Sequence, residues 1–186
     1  MSAPNVRSCP PDVGLEIAFA GRSNAGKSSA INTLTDQTKL ARISKTPGRT
    51  QLINFFSLGN DKHLVDLPGY GYAKVPPAVQ AKWKAMMSNY FEKRQALKGA
   101  VIVMDSRHPM KAIDIQMIDW CSHNDLACHL LLTKSDKLSK NQGKKCLFEV
   151  EKANKHRQRC TVQLFSSHNK SGLETLQKQL NEWLET

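Results

Sequence analysis

The sequence predicts a single α/β domain built around a largely parallel β-sheet. Short apolar runs alternate along the chain with longer segments of helical periodicity, which is typical of this class. The six candidate strands are Glu16–Ala20, Ile53–Leu58, His63–Asp66, Ala100–Met104, His129–Leu132 and Val162–Phe165. The candidate helices are Lys27–Leu34, Pro76–Leu97, Ala112–His123, Ser139–Arg157 and Gly172–Leu184. Only four residues join the second and third strands. We therefore expect that pair to be an antiparallel hairpin in a six-stranded sheet with helices on both faces.

The composition is that of an ordinary soluble globular protein. Hydrophobic residues make up 40% of the 186 residues and charged residues 23%. We expect residues 1–14 to form an amino-terminal extension and residues 15–186 a single domain. No apolar run is long enough for a transmembrane helix, and the first 14 residues lack the apolar segment of a secretory signal. The five dispersed cysteines include no C-x-x-C pair, which favours a reduced, cytoplasmic protein.

The net charge of +11 is concentrated in two stretches. Residues 39–49 contain four basic residues and no acid, and residues 134–159 contain nine basic residues and three acids. Any single lysine is most simply explained as a solvated side chain, but the total favours a polyanionic partner such as a nucleic-acid backbone. An acidic membrane surface is the alternative, and no amphipathic anchor or lipidation motif supports it.

One glycine-containing segment, Gly21–Ser28, fits the pattern G-x-x-x-x-G-K-[ST] between a predicted strand and a predicted helix. The glycines allow consecutive backbone N–H groups to turn inward and form an anion nest in front of the helix. Lys27 should reach the β- and γ-phosphates of a nucleotide, and the Ser28 hydroxyl should bind Mg²⁺. The alternative is an ordinary strand-to-helix turn beside a surface lysine. The flanking strand and helix favour the nucleotide site.

A second segment, Asp66–Gly69, follows the third predicted strand. Its aspartate can hold Mg²⁺ through water, and the Gly69 N–H can contact a γ-phosphate. The pattern D-x-x-G is weak alone, because any turn that begins with aspartate can supply it. Its position after the hairpin strengthens the nucleotide interpretation. We expect this turn and the aperiodic loop 39–51 to respond to the γ-phosphate.

A third segment, Thr133–Asp136, follows the apolar run at His129–Leu132. The carboxylate of Asp136 only accepts hydrogen bonds, so it can pair with the N1–H and the exocyclic amine of guanine. Adenine would leave this carboxylate unpaired and costly to desolvate. The alternative is a polar loop after a strand. The three segments in this order favour a guanine nucleotide.

These three segments resemble the G1, G3 and G4 motifs of the translation-factor-related P-loop GTPases. Within their TrmE-Era-EngA-EngB-Septin-like class, the chain resembles the EngB (YihA/YsxC) family of bacterial ribosome-biogenesis GTPases. The segments that carry this likeness are Gly21–Ser28, Thr46–Gln51, Asp66–Ala73 and Asp105–Pro109. The likeness covers nearly the whole chain. It implies a Ras-like fold, binding of GTP and GDP with Mg²⁺, and hydrolysis of GTP.

The resemblance also implies a cellular role. It predicts a cytoplasmic, monomeric switch needed for assembly of the large ribosomal subunit and for normal cell division and septation. Its partner would be the precursor of that subunit, both rRNA and ribosomal proteins. Two other classes stay open, namely a P-loop ATPase or phosphotransferase, and an RNA-binding or division adaptor that only holds nucleotide.

The resemblance completes the predicted site. Thr50 would join Ser28 as a ligand of Mg²⁺, and Thr46 is the alternative residue for this role. The backbone of Phe165–Ser167 would contact the guanine O6, although Ser167 replaces the usual alanine. The predicted nucleotide-binding residues are Gly21, Arg22, Ser23, Asn24, Ala25, Gly26, Lys27, Ser28, Gly48, Arg49, Thr50, Gln51, Leu52, Asp66, Leu67, Pro68, Gly69, Thr133, Lys134, Ser135, Asp136, Phe165, Ser166 and Ser167. The predicted catalytic residues are Lys27, Thr50 and Gly69.

Hydrolysis is expected to be slow. Ras-type enzymes place a water-orienting glutamine after D-x-x-G, whereas this chain has Tyr70. Related GTPases carry an asparagine at the position of Asn24, where it helps bind K⁺ at the phosphates. The resemblance therefore implies K⁺ as a candidate cofactor, with a hydrogen bond that stabilises the loop as the alternative role of Asn24.

Overall fold

The computed structural model describes residues 1–37, 39–41, 52–70 and 76–185, which form a seven-stranded sheet with helices on both faces. The strands in chain order are β1 (Ser2–Ala3), β2 (Leu15–Gly21), β3 (Ile53–Gly59), β4 (Lys62–Asp66), β5 (Leu97–Asp105), β6 (Ala127–Thr133) and β7 (Cys160–Leu164). Their spatial order is β1-β3-β4-β2-β5-β6-β7. The predicted α/β class is confirmed.

β3 and β4 form the predicted antiparallel hairpin, in which Phe55 lies opposite Val65. The turn between them holds Gly59, Asn60 and Asp61 at φ values of 86°, 50° and 55°. Glycine and short polar residues adopt this left-handed conformation most readily. β4, β2, β5, β6 and β7 run parallel to one another.

The predicted count of six strands was one too low. β1 pairs antiparallel with β3, where Ala3 lies opposite Ile53. The Phe55 N–H donates to the Met1 carbonyl at 2.8 Å, and Ala3 is buried. A strand of two residues shows no alternation of apolar and polar side chains, so the sequence pattern does not reveal it. The division of the chain at residue 15 stays a prediction.

The helices in the described ranges are α1 (Lys27–Leu34), α2 (Pro77–Lys93), α3 (Ala112–His123), α4 (Lys140–Asn154) and α5 (Leu173–Leu184). The predicted bounds of α1 and α3 are correct. α2 ends before the predicted Leu97, because Arg94 turns to an extended conformation at φ −81° and ψ 103° and Leu97 already begins β5. No helix within these ranges is long and apolar enough to span a membrane.

The sheet separates two hydrophobic cores. Successive side chains of a strand point to opposite faces, and β2 accordingly places Ile17 and Phe19 in one core and Ala18 and Ala20 in the other. The first core is closed by α1 and α5, and the second by α2, α3 and α4. Because both faces are covered, the central strands are almost continuously apolar.

The carboxyl ends of the parallel strands all lie at one edge of the sheet. In α/β folds, ligands bind beyond this edge. Here the edge carries the residues that follow β2, β4, β5, β6 and β7, and these include all three sequence segments proposed to bind a nucleotide.

Candidate functional site

The predicted phosphate loop, Gly21–Ser28, joins the end of β2 to the start of α1. Asn24 and Gly26 adopt left-handed φ values of 61° and 96°, and backbone turns of this kind form anion-binding nests. A Cβ atom on Gly26 would lie 3.2 Å from the Thr133 hydroxyl. Glycine is therefore favoured there by its backbone conformation and by the close approach of β6.

The phosphate loop meets Asp66 at the end of β4. The Lys27 ammonium pairs with the Asp66 carboxylate, and their side chains are only 11% and 9% exposed. This pairing follows from the topology, because β4 lies directly beside β2. The predicted lysine and aspartate thus occupy one partly buried site.

The donors at this site fit a magnesium ion. Ser28 lies in the first turn of α1, so a hydroxyl and the Asp66 carboxylate supply the hard oxygen atoms that Mg²⁺ prefers. No cluster of three or more His, Cys, Asp or Glu side chains in the described ranges is placed to hold a metal by itself. The donor set suits Mg²⁺ that takes its remaining ligands from phosphates and water.

The end of β6 is hydrogen-bonded to the phosphate loop. The Lys134 ammonium donates to the Asn24 carbonyl at 2.6 Å. The Thr133 hydroxyl lies within hydrogen-bonding distance of the carbonyls of Ala25 and Met104, and its single proton serves one of them at a time. Lys134 itself adopts a left-handed φ of 58°. Side chains predicted to bind the base therefore also fix the loop predicted to bind the phosphates.

Asp136 lies beyond this junction, on the short 3-10 turn that follows β6. The buried Ser166 donates its hydroxyl proton to the Asp136 carboxylate at 2.6 Å. This hydrogen bond, followed by the neighbouring Lys137, lowers the pKa of Asp136 below its usual value. A carboxylate has about four lone-pair positions, so Asp136 can accept from Ser166 and from two donors of a guanine edge.

Phe165–Ser167 lies directly beside the Asp136 turn. The Ser135 N–H donates to the Phe165 carbonyl at 3.1 Å, and Phe165 and Ser166 are fully buried while Ser167 is half-buried. β7 ends at Leu164, one residue before the predicted Phe165. Phe165 therefore belongs to the loop. The structure brings this loop to the same edge as Thr133–Asp136.

Asp105 was not among the predicted binding residues, although the sequence likeness includes its segment. It ends β5 beside Thr133 of β6 and accepts hydrogen bonds from Lys134 at 2.9 Å and from Arg107 at 2.7 Å. Burial raises the pKa of Asp105, but the hydrogen bonds from Arg107 and Lys134 more than offset this, so the pKa lies well below the usual value. A charged Asp105 thus orients the lysine that holds the phosphate loop. Its position at the end of a parallel strand was the available signal.

Residues 67–69 lead away from β4. Leu67 is buried and its N–H donates to the Phe19 carbonyl at 3.0 Å, while the Pro68 carbonyl accepts from the Trp83 indole of α2 at 3.2 Å. Gly69 follows Pro68 directly and lies three residues after Asp66, the acid of the Lys27–Asp66 pair. The predicted D-x-x-G segment is therefore held by hydrogen bonds at Leu67 and at Pro68.

Several predicted residues lie outside the described ranges. These are Gly48, Arg49, Thr50 and Gln51, together with Thr46 and the part of the family-like segment at residues 71–73. Leu52 is described and precedes β3, where it is 38% exposed. Asn54 of β3 pairs with Asp66, so Leu52 lies near the same edge as the other predicted residues.

Comparisons with known proteins agree with this geometry. A family model described as 50S ribosome-binding GTPase matches residues 16–134. A probable GTP-binding protein EngB from Coxiella burnetii (strain CbuK_Q154) is 55% identical over 98% of this chain and 89% of its own length. One from Shigella flexneri is 53% identical over 98% of this chain and 88% of its own.

Solved structures show the same fold. A crystal structure of a probable GTP-binding protein EngB superposes with a TM-score of 0.73 at 24% identity, covering 91% of this chain and 98% of that one. Era, in complex with MgGDPNP and nucleotides 1506–1542 of 16S ribosomal RNA, superposes with a TM-score of 0.69 at 17% identity, covering 90% of this chain and 56% of that one. The chain therefore belongs to the EngB family of GTP-binding proteins and is a P-loop GTPase.

Proposed function

We propose that the protein is a cytoplasmic, monomeric GTP switch that acts in assembly of the large ribosomal subunit, and that normal cell division and septation depend on this role. The observation that carries the proposal is the exposed basic surface of α4, next to the Asp136 turn. The family description as ribosome-binding GTPases supports the choice of partner.

At the nucleotide, each described group has a distinct task. The phosphates draw the Lys27 ammonium away from Asp66, so that it neutralises negative charge that develops during hydrolysis. Ser28 would hold Mg²⁺ directly and Asp66 would hold it through water, and the ion would supply further positive charge there. The Gly69 N–H contacts the γ-phosphate, while Asp136 and the Phe165–Ser167 backbone select guanine. Thr50, which lies outside the described ranges, would complete the metal site when GTP is bound.

The basic surface of α4 consists of four exposed lysines on the helix and one directly after it, which are Lys140, Lys144, Lys145, Lys152 and Lys155. Four other basic residues of the stretch 134–159 have acidic partners, as in the pair of Arg157 with Asp119. On the helix itself, Lys145 lies 3.9 Å from Glu149, and both side chains are exposed. An exposed pair of this kind contributes little, so the lysine can still bind a phosphate. The remaining basic charge is therefore concentrated on the helix. Phe148 of α4 is 64% exposed, and an exposed aromatic ring among lysines suits unpaired RNA bases beside a phosphate backbone.

Sedimentation with purified ribosomal subunits tests this proposal. We expect the protein to sediment with the large subunit in a non-hydrolysable GTP analogue and much less in GDP, because only GTP orders the γ-phosphate contacts. Replacing Lys144 and Lys145 by alanine should reduce the slope of log affinity against log salt by about 1.5, since each lost phosphate contact removes about 0.7–0.9.

The matched control is the double variant Lys93→Ala/Lys178→Ala, which removes two exposed lysines from α2 and α5. It should sediment like the wild type at every salt concentration. Equal sedimentation in GDP and in the analogue would exclude a switch, and equal slopes for the two double variants would exclude the α4 surface.

Potassium should accelerate hydrolysis if Asn24 helps to hold a monovalent cation at the phosphates. Asn24 is exposed, and it adopts a left-handed conformation within the phosphate loop. We expect single-turnover hydrolysis to be about tenfold faster in KCl than in NaCl at equal ionic strength, since one added charge there stabilises the transition state. The acceleration should disappear in Asn24→Ala. Identical rates in both salts would remove K⁺ from the mechanism.

A further inference from the structure

A buried carboxylate on α3 contacts two separate segments of the nucleotide site. Asp114 is fully buried, and both of its oxygens lie within 3.2 Å of the Arg22 Nε. It also accepts from the Tyr70 hydroxyl at 3.2 Å and from the Lys111 N–H at 3.0 Å. Arg22 is the second residue of the phosphate loop, and Tyr70 immediately follows Gly69. One side chain therefore contacts the phosphate loop and the segment predicted to sense the γ-phosphate.

The backbone makes the same connection. The Ser23 N–H donates to the Tyr70 carbonyl at 2.9 Å, and the Tyr70 N–H donates to the Gly21 carbonyl at 3.3 Å. Arg22 and Tyr70 form an isolated parallel β-bridge. Tyr70 is therefore hydrogen-bonded to the phosphate loop through its main chain, and its side chain is linked to the loop through Asp114.

The Tyr70 ring has little freedom to leave this position. It is 2% exposed and packs on Trp83 of α2 with 5.4 Å between ring centroids. Trp83 in turn packs on Trp120 of α3 at 6.2 Å. The Arg22 guanidinium is also fixed at its other end, where it donates to the His108 carbonyl at 2.6 Å. Asp114 lies between two side chains that are each held by a second contact.

We propose that Asp114 is a positioning residue for GTP hydrolysis, which sets the distance between the phosphate loop and Gly69 through Arg22 and Tyr70. The Gly69 N–H can stabilise the γ-phosphate only if it lies at hydrogen-bonding distance from it, and preorganised donors of this kind are worth much more than mobile ones. GDP lacks the γ-phosphate, so its binding does not depend on the distance between the phosphate loop and Gly69. This role depends on the contact proposed for Gly69, and it is independent of the ribosomal partner.

The charge of Asp114 matters as much as its position. Burial raises the pKa of Asp114, and the guanidinium of Arg22 opposes this shift. Asparagine has nearly the same shape, but it carries no charge to pair with Arg22 and offers only one acceptor oxygen, while its N–H₂ group can still donate to the Tyr70 hydroxyl. Asp114→Asn therefore weakens the link to Arg22 and fills the same space. Tyr70→Phe removes only the hydroxyl and keeps the buried ring.

Nucleotide affinity and single-turnover kinetics test the inference. For Asp114→Asn we expect an unchanged affinity for GDP, an affinity for a GTP analogue lower by about tenfold, and a kcat lower by about tenfold, which are typical coupling effects. Tyr70→Phe should shift the same quantities by only about threefold, because Asp114 keeps its charge and its pair with Arg22 and loses a single hydrogen bond. The losses in the double variant should be smaller than the product of the two single losses, since both changes act on the same link.

Asp119→Asn is the matched control, because Asp119 lies on the same helix and also pairs with an arginine, Arg157. It should leave all three quantities unchanged. Equal losses of GDP and analogue affinity in Asp114→Asn, or unchanged kcat and analogue preference in both single variants, would overturn the inference. Gly69→Pro, which removes the backbone N–H, separates the two ideas. If it leaves the preference for the analogue intact, the contact proposed for Gly69 itself is wrong.

Discussion

Replacing Asp136 by asparagine should lower the affinity for GDP by about a thousandfold and create a preference for xanthosine diphosphate. The carboxylate accepts hydrogen bonds from two guanine donors, and hydrogen bonds to charged groups contribute about 1.5–3 kcal/mol each. Asparagine would turn an N–H₂ group toward one of those donors. Xanthine carries a carbonyl where guanine carries the amine, so the amide can donate to it and the pairing is restored.

Calorimetry with GDP and xanthosine diphosphate in the presence of Mg²⁺ measures both effects. Asp125→Asn serves as the control, because Asp125 is an exposed carboxylate whose side chain pairs with Arg159, and it should leave both affinities unchanged. The lowered pKa of Asp136 means that the carboxylate stays charged well below neutral pH, so guanine preference should persist at pH 6. A variant that binds GDP as tightly as the wild type would show that another group selects the base.

The local parts of the site were predictable because the residues that form each of them are contiguous in the sequence. The strand, the turn with Gly26 and Lys27, and α1 follow one another without interruption, and the predicted bounds of α1 were correct. Asp66 and Asp136 were found in the same way, since Asp66 is the last residue of β4 and Asp136 lies three residues after the end of β6. Parallel strands then bring these separate segments to one edge of the sheet without any further signal.

The long-range polar contacts could not be predicted from the sequence. Asp114 lies in the first turn of α3 and on its buried face, whereas Asp119 is exposed, but helical spacing does not say which residues a buried acid contacts. The contacts of Asp114 with Arg22 and Tyr70 join residues 92 and 44 positions apart. The pattern of basic residues was similarly ambiguous. Lys134 pairs with Asp105 and Lys144 is exposed on α4, and the sequence alone does not separate these two cases.

Another contact of this kind joins the amino-terminal segment to the domain. Arg94, just after α2, pairs with Glu16 of β2 at 2.9 Å, and their side chains are 5% and 1% exposed. Its other nitrogens donate to the carbonyls of Pro10 at 2.8 Å and Pro11 at 3.2 Å, and the Tyr90 hydroxyl donates to Glu16 at 2.8 Å. Arg94 therefore satisfies a buried carboxylate and also anchors part of the segment predicted to be an extension.

Arg94→Met should destabilise the protein by about 3–5 kcal/mol, because it leaves the Glu16 carboxylate buried without its cation. This is a large fraction of the stability of a typical domain. Chemical denaturation at a fixed nucleotide concentration measures the change, since bound nucleotide adds to the apparent stability. The double variant Glu16→Gln/Arg94→Met removes the buried charge as well, and it should recover much of the loss because Tyr90 can still donate to the amide oxygen.

Limited proteolysis separates the two roles of Arg94. If the buried pair dominates, the single variant unfolds at a lower denaturant concentration and the double variant recovers. If Arg94 acts mainly on Pro10 and Pro11, both variants should be cut faster within the first twelve residues while their unfolding midpoints stay near that of the wild type. The second result would contradict the predicted destabilisation, and it would show that the sheet tolerates Glu16 through the hydroxyl of Tyr90 alone.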